Sequence, residues 1–362
     1  MDLKILITLI LLDQIVGFKN VFNQRHFYHL ISIRGTVKNL RVSSLAMALQ
    51  IDKPTESSSS QPPKIWSFLS NGFKDQARNW FVQRAERLGI PWIQSTADNT
   101  MKLDKLVELK DELIDKDIIY PQYYTLPFHG YDEGNLNWLA ACEMQAATLS
   151  IAGHYWKNTP ATQSQDWLRF NVTNNIKQYI KKYSKIKEPS CILDVGCSVG
   201  ISTEFLYSAF TKVKQMDGID LSPYFVAMAT LRASEEEFNL PIEYHHKNAE
   251  YTGFNDNTYD LIVSSFLFHE LNEEATINIL KEIHRILQVG GTIAIHDLSP
   301  KKLKGDNAFI NTFRRWAFEV TEPHIYGYYE RDMNALLKAA GFKSVKEKKN
   351  DPINSIWFGT KR

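Results

Sequence analysis

From residue 190 onward the chain alternates short apolar runs with amphipathic ones. Cys191-Ile192-Leu193-Asp194-Val195 reads as a strand. So do a run from Val213 to Asp220, Ile242-Glu243-Tyr244-His245, the run Asp260 to Ser265, and Thr292-Ile293-Ala294-Ile295-His296. Helical spacing separates them over 201–210, 223–235 and 273–287. Strands alternating with helices at this spacing predict an α/β fold, a mostly parallel sheet with helices on both faces. Ligands of such sheets bind beyond the carboxyl ends of the strands. A last helix over 330–340 and an antiparallel pair, Lys343–Lys348 with Ser355–Gly359, close the pattern.

Upstream, the periodicity is helical over 72–119. Asp75 stands as a cap, and Gly89-Ile90-Pro91 is a break, since glycine ends a helix and proline cannot continue it. Leu103, Leu106, Val107 and Leu113 mark a second helix. The aromatic loop Tyr120-Pro121-Gln122-Tyr123-Tyr124 follows, then a polar and aromatic stretch from Phe128 to Trp138, then an alanine-rich helix over 139–152. Interleaved aromatic and polar side chains on a loop suit either core anchoring or a lid over a small-molecule pocket. Residues 51–64, with four serines and three prolines, cannot bury enough surface to fold and read as a linker. Three regions result: a leader and linker over 1–64, a helical N-terminal cap over 65–185, and the sheet domain over 186–362.

Charge changes one part of this picture. The 362 residues carry 42 basic and 41 acidic side chains, a net of +1. Residues 1–46 hold six of the basic ones (Lys4, Lys19, Arg25, Arg34, Lys38, Arg41) against Asp2 and Asp13. That composition predicts an organelle transit segment, chloroplast ahead of mitochondrion, with a secretory leader or a cytoplasmic protein of later start as alternatives. The folded remainder is slightly acidic and lacks the electrostatic footprint of a nucleic-acid binder. No run of 18 apolar residues predicts a membrane helix. Cys142, Cys191 and Cys197 form neither a disulfide framework nor, with histidines, a cluster of metal-ligand spacing, so no metal is expected. Oligomeric state is not legible.

The candidate chemistry lies in Leu193-Asp194-Val195-Gly196-Cys197-Ser198-Val199-Gly200, a strand ending in a carboxylate and turning through glycines into a helix. Twenty residues beyond Gly200, Asp220 ends the second strand, where a carboxylate can accept both hydroxyls of a ribose. Asn248-Ala249 follows the third strand, where an adenine would sit. The dinucleotide fingerprint lacks its third glycine. Gly196-x-Ser198-x-Gly200 matches a serine-hydrolase elbow, with His269 or His296 and Asp297 as partners, but leaves Asp194 and Asp220 without a role.

The ordered series LDVGCSVG, DGIDLSPYFVAMA, KNAE, YDLIVSSFLFHEL and LKEIHRILQVGGTIAIHDL resembles the class I S-adenosylmethionine-dependent methyltransferases, more narrowly their type 11 branch. The likeness covers residues 186–300 closely. Thr321-Glu322-Pro323-His324, Tyr328-Tyr329 and the aromatic upstream segments are similar to a cyanobacterial and chloroplast group. The resemblance implies a Rossmann-like seven-stranded sheet and S-adenosyl-L-methionine as cofactor. It implies that Asp194, Gly196, Ser198 and Gly200 line the methionine part, Asp220 the ribose, Asn248 and Ala249 the adenine, and Ser265 and Phe266 the floor. The family's second glycine is Ser198 here, its usual Asp is Asn248, and its Lys-Pro-Gly-Gly turn is Gln288-Val289-Gly290-Gly291.

Methyl transfer from a sulfonium is an in-line displacement, so the protein supplies orientation and a dry pocket. His269, Glu270 and His296 end the fourth and fifth strands and are the candidate proton acceptors. The expected acceptor is a small, partly apolar molecule. A cofactor-binding scaffold without catalysis is the non-enzyme alternative.

Overall fold

Among the residues described, seven strands form one sheet in the order β3-β2-β1-β4-β5-β7-β6. The strands are β1 Cys191–Val195, β2 Gln215–Asp220, β3 Glu243–His246, β4 Tyr259–Ser265, β5 Leu287–Leu298, β6 Lys343–Lys349 and β7 Asn354–Thr360. The computed structural model describes residues 78–79, 81–126, 131–156, 158–235, 240–299 and 323–362. The leader and linker, Asp75, Phe128 to Gly130 and the stretch 300–322 lie outside them. β1 to β5 run parallel. β7 inserts antiparallel between β5 and β6. This is the seven-stranded α/β sheet expected. The outer strand β6 carries Lys343, Lys346, Lys348 and Lys349, charges that discourage edge-to-edge pairing.

Helices α1 Trp92–Thr100, α2 Leu103–Leu113, α3 Trp138–Tyr155 and α4 Ala161–Tyr183 precede the sheet. Asn137 caps α3 by accepting from the N–H of Ala140. α4 has no counterpart in the sequence reading. Its stripe Leu168, Val172, Ile176 and Tyr179 recurs every three or four residues and is buried, with Val172, Ile176 and Tyr179 packed on Ile192, Leu261, Val263, Ala294 and Phe358 of the sheet. The Tyr179 ring stacks on Phe358 at 4.5 Å. So a helix upstream of residue 186 forms part of the sheet's own core.

Helices α5 Ile201–Ala209, α6 Pro223–Glu235 and α7 Glu273–Ile286 connect the parallel strands. α7 buries Ala275, Ile279, Ile283 and Ile286 against Leu193, Ile262 and Ile293, covering the opposite face. Each of the isoleucines contributes ~1.5–3 kcal/mol on full burial. The helix expected over 330–340 is α9 Met333–Ala339, capped by Asp332, which accepts from the N–H of Ala335, and a further short helix, α8 Ile325–Glu330, precedes it. The Gly290-Gly291 turn is also different: both residues lie within β5, Gly290 at φ +93°, its N–H donating to the carbonyl of Lys361. No helix among the described residues is long and apolar enough to cross a membrane.

Candidate functional site

The carboxyl ends of β1 and β2 are tied by one turn. The N–H groups of Gly196 and Cys197 both donate to the carbonyl of Ile219, at 2.9 and 3.0 Å. Gly196, Ser198 and Gly200 all have positive φ, at +73°, +50° and +86°. At Gly200 a Cβ would lie 2.5 Å from the Tyr244 hydroxyl oxygen, so only glycine fits. Ser198, where the family places glycine, holds a left-handed conformation that a side chain disfavours. Its N–H donates to Asp220 Oδ2 at 2.9 Å, and the N–H of Ser222 donates to Oδ1 at 2.8 Å. Burial pushes Asp220 up to about 6, against those two donors.

Asp194 is fully buried. Oδ2 accepts from Ser202 Oγ at 2.6 Å and Thr203 Oγ1 at 2.8 Å, while Oδ1 has no partner. Burial raises its pKa; the two hydroxyls and the charge of Arg169 oppose the rise. Arg169, on α4, is the functional candidate that the sequence reading missed. It is buried, its Nε and Nη1 have no hydrogen-bond partner, and burial lowers its pKa against the nearby charge of Asp194. The signal was present: Arg169 lies three residues before Val172 and seven before Ile176, on the apolar stripe of its helix.

One pocket at this end of the sheet brings together Gly196, Asp220, Asn248, Ala249 and Glu270 of the predicted residues. Tyr123, Tyr124 and Asn135 complete it from upstream. Asp194, Ser198, Gly200, Ser265, Phe266, His269 and His296 do not line it. Asn248 Oδ1 accepts from the N–H of Glu250 at 2.8 Å, so the oxygen assigned to an exocyclic amine already has a donor. Tyr123 donates to Glu250 Oε1 at 2.7 Å and holds the aromatic loop, here a short helical turn over Gln122–Thr125, over the pocket. Phe266 follows β4 at φ +60°, its N–H donating to the carbonyl of His296 and its ring 4.7 Å from that imidazole.

The two histidines differ. His269 Nδ1 meets Asp297 Oδ1 at 2.7 Å, and the His269 N–H donates to Oδ2 at 3.1 Å. Asp297 accepts, so Nδ1 carries the proton and Nε2 is the basic nitrogen. His296 is wholly buried, with Nε2 3.4 Å from Asp351 Oδ2 in a network with Asn350 and Asn354. Burial opposes ionisation of Asp351, but His296 and the N–H of Ile353 bring it down to about 2. This places His296 in the joint between β5 and the turn before β7. Ser198 Oγ is buried and makes no hydrogen bond, so no histidine is placed to activate it as the elbow requires.

Among the described residues one group has mixed ligand chemistry: Asp217, Glu243 and His245 have donor atoms within 4.8 Å of one another. The register of β2 on β3 makes this cluster, not sequence spacing. Asp217 Oδ2 accepts from Tyr259 Oη and Gln215 Nε2 and Oδ1 faces His245 Nε2 at 3.5 Å, a network of side chains that serve one another.

Residues 192–291 match the family model described as a methyltransferase domain. Erythromycin 3''-O-methyltransferase of Saccharopolyspora erythraea is 29% identical over 150 residues, which is 41% of this chain and 46% of that protein. Demethylmenaquinone methyltransferase of Listeria monocytogenes is 22% identical over 163 residues, 43% of this chain and 68% of that one. The chain thus spans about half to two thirds of these relatives. A solved structure of Haemonchus contortus phosphoethanolamine N-methyltransferase 2 in complex with S-adenosyl-L-methionine aligns over 55% of this chain and 58% of its own, at 16% identity and a TM-score of 0.39. The stretch from 192 to 291 is a methyltransferase domain.

Proposed function

We propose that the protein transfers a methyl group from S-adenosylmethionine to a small, partly apolar acceptor that it deprotonates at a hydroxyl. The observation that carries this reading is a buried pair of opposite charges with unspent hydrogen-bonding atoms, Asp194 standing two residues before Gly196 of the pocket. Asp194 Oδ1 and Arg169 Nε and Nη1 are buried and unpartnered. Together they suit the ammonium and carboxylate of an amino acid, while Asp220 suits a ribose. The residues present therefore fit the cofactor. When bound, its sulfonium supplies a methyl group that is already activated.

The chain's own work is positioning and proton removal. The Gly196–Gly200 turn lets backbone approach the ligand closely. Asp297 fixes the tautomer and ring orientation of His269, the general base of this reading for an acceptor hydroxyl. Tyr328 stands edge-on to that imidazole at 6.3 Å and helps to keep it dry. The relatives' names, an O-methyltransferase of erythromycin and a demethylmenaquinone methyltransferase, denote small-molecule acceptors and support that class. A hydrolase using Ser198 has no observation in its favour.

Thermal-shift titration with S-adenosylhomocysteine tests the proposal. Ligand at a hundred times its dissociation constant should stabilise by ~2.7 kcal/mol. No shift at millimolar ligand overturns it. We further propose that the basic leader is an organelle transit segment. Fusion of residues 1–64 to a fluorescent protein checks this, and a diffuse cytosolic signal rejects it.

A further inference from the structure

The pocket around Asp220 is closed by residues that lie outside the methyltransferase domain. Tyr124 comes from the aromatic turn and Asn135 from the loop before α3; both line the pocket with Asp220. Neither has spent its hydrogen-bonding capacity. The Tyr124 hydroxyl is buried with no hydrogen-bond partner, and Asn135 Oδ1 is likewise buried and unpartnered. Buried polar groups of folded chains are normally satisfied, so two orphans facing one pocket point to a ligand.

Their positions are held. The Ser222 hydroxyl donates to the main-chain carbonyl of Asn135 at 2.7 Å, while the Ser222 N–H donates to Asp220 Oδ1. One residue thus couples Asn135 to the ribose carboxylate. Tyr124 stacks on Tyr120 with ring centroids 6.2 Å apart. Tyr120 in turn meets His246, whose Nδ1 accepts from the N–H of Asp115 at 3.0 Å. Burial, then the nearby charges of Asp220 and Glu270, keep the Tyr124 phenol protonated and therefore able to donate.

A ribose diol offers two donors and needs donors in return. An ionised carboxylate is an acceptor only and cannot answer a hydroxyl's lone pairs. We infer that Tyr124 donates to a ribose hydroxyl oxygen of the nucleoside whose protons are taken by Asp220 and Asn135. Tyr124 and Asn135 are then part of the cofactor site and make it selective for ribonucleosides over deoxyribonucleosides. This rests on the methyltransferase reading above.

Calorimetric titration of the full chain tests it, with S-adenosylhomocysteine and its 2'-deoxy and 3'-deoxy analogues as probes. Tyr124→Phe, which removes only the hydroxyl, should weaken the parent ligand about tenfold. It should leave the affinity of one deoxy analogue unchanged, the one lacking the oxygen that Tyr124 addresses. Asn135→Ala should weaken the parent in the same way, with circular dichroism matching the wild type. Should the wild type bind no S-adenosylhomocysteine, the methyltransferase reading fails and takes this assignment with it. Should the wild type bind and Tyr124→Phe bind equally well, or lose the same factor for all three probes, this assignment alone is wrong.

Discussion

His269 Nδ1 lies 2.7 Å from Asp297 Oδ1, and the main chain of the same histidine donates to the second oxygen of that carboxylate. Both partners are buried, so the imidazole is held in one orientation and one tautomer. A base built this way is worth ~10²–10⁴ in rate when a hydroxyl must be deprotonated. His269→Ala should lower kcat by that order on an acceptor found by a screen with labelled cofactor, and Asp297→Asn by ~10². Affinity for S-adenosylhomocysteine should hold in both. Equal kcat in wild type and His269→Ala removes the base.

Asp220 gives the cofactor site its own pH dependence. Burial lifts its pKa to about 6 in spite of the N–H donors of Ser222 and Ser198. Above that value the carboxylate is charged and accepts from a diol; below it a proton occupies one lone pair. Affinity for S-adenosylhomocysteine should therefore fall as pH drops from 7 to 5, approaching ~tenfold per pH unit below the pKa. Asp220→Asn should bind ~1–3 kcal/mol more weakly at neutral pH and lose this dependence. The sign for the ligand-free fold is opposite. The folded chain holds this proton more tightly than the unfolded one, so the residue's contribution is favourable at low pH and is lost as pH rises from 3.8 through about 6. Affinity that is flat from pH 5 to 8 contradicts the placement of the ribose.

The glycine turn makes two opposite predictions at neighbouring positions. Ser198 sits at φ +50°, a conformation costing an L-residue ~1–2 kcal/mol. Ser198→Gly relieves it, and part of the gain is lost to the freer unfolded chain, leaving ~0.5–1 kcal/mol of stabilisation. The Ser198 N–H bond to Asp220 survives the change. Gly200→Ala forces a Cβ to 2.5 Å from Tyr244 Oη at φ +86°, which should destabilise by more than ~2 kcal/mol. Urea denaturation of both variants measures this. A destabilised Ser198→Gly means that the serine hydroxyl contributes something the geometry does not display.

Much of this site was legible before the fold was known. β1 runs Cys191–Val195 and α6 runs Pro223–Glu235, as the apolar runs and their glycine and proline borders imply. That places Asp194 and Asp220 at strand ends, where parallel sheets bind ligands. What escaped depends on register between distant segments. In the sequence Asp297 is open to either His269 or His296, and His269 takes it because β4 and β5 are adjacent and parallel. His296 finds Asp351 because the chain reverses into β7, which pairs with β5 through His296↔Ile356. α4 escaped for a different reason. Its buried stripe is blurred by Asn171, Asn174 and Asn175 and by the exposed Trp167 and Phe170, so the one-sided pattern stands out only once the helix lies on the sheet.

Arg169 is the residue through which stability and ligand binding should separate. A buried guanidinium with unpartnered Nε and Nη1 is expensive, and an apolar side chain of similar length is often tolerated as well or better. Arg169→Met keeps the packing on α4 and removes the desolvated charge. Asp194 loses a neighbouring cation, but burial already raises its pKa, so it takes up a proton rather than remain charged and alone. The ligand-free variant should therefore melt within a few degrees of the wild type, or above it. Its affinity for S-adenosylhomocysteine should fall by at least ~10-fold, as for a lost charge-assisted hydrogen bond. Decarboxylated S-adenosylhomocysteine, lacking the group that Arg169 would hold, should lose less affinity on this substitution than the parent ligand does. A variant that melts far lower and binds both ligands as the wild type does makes Arg169 a structural residue and moves the carboxylate elsewhere.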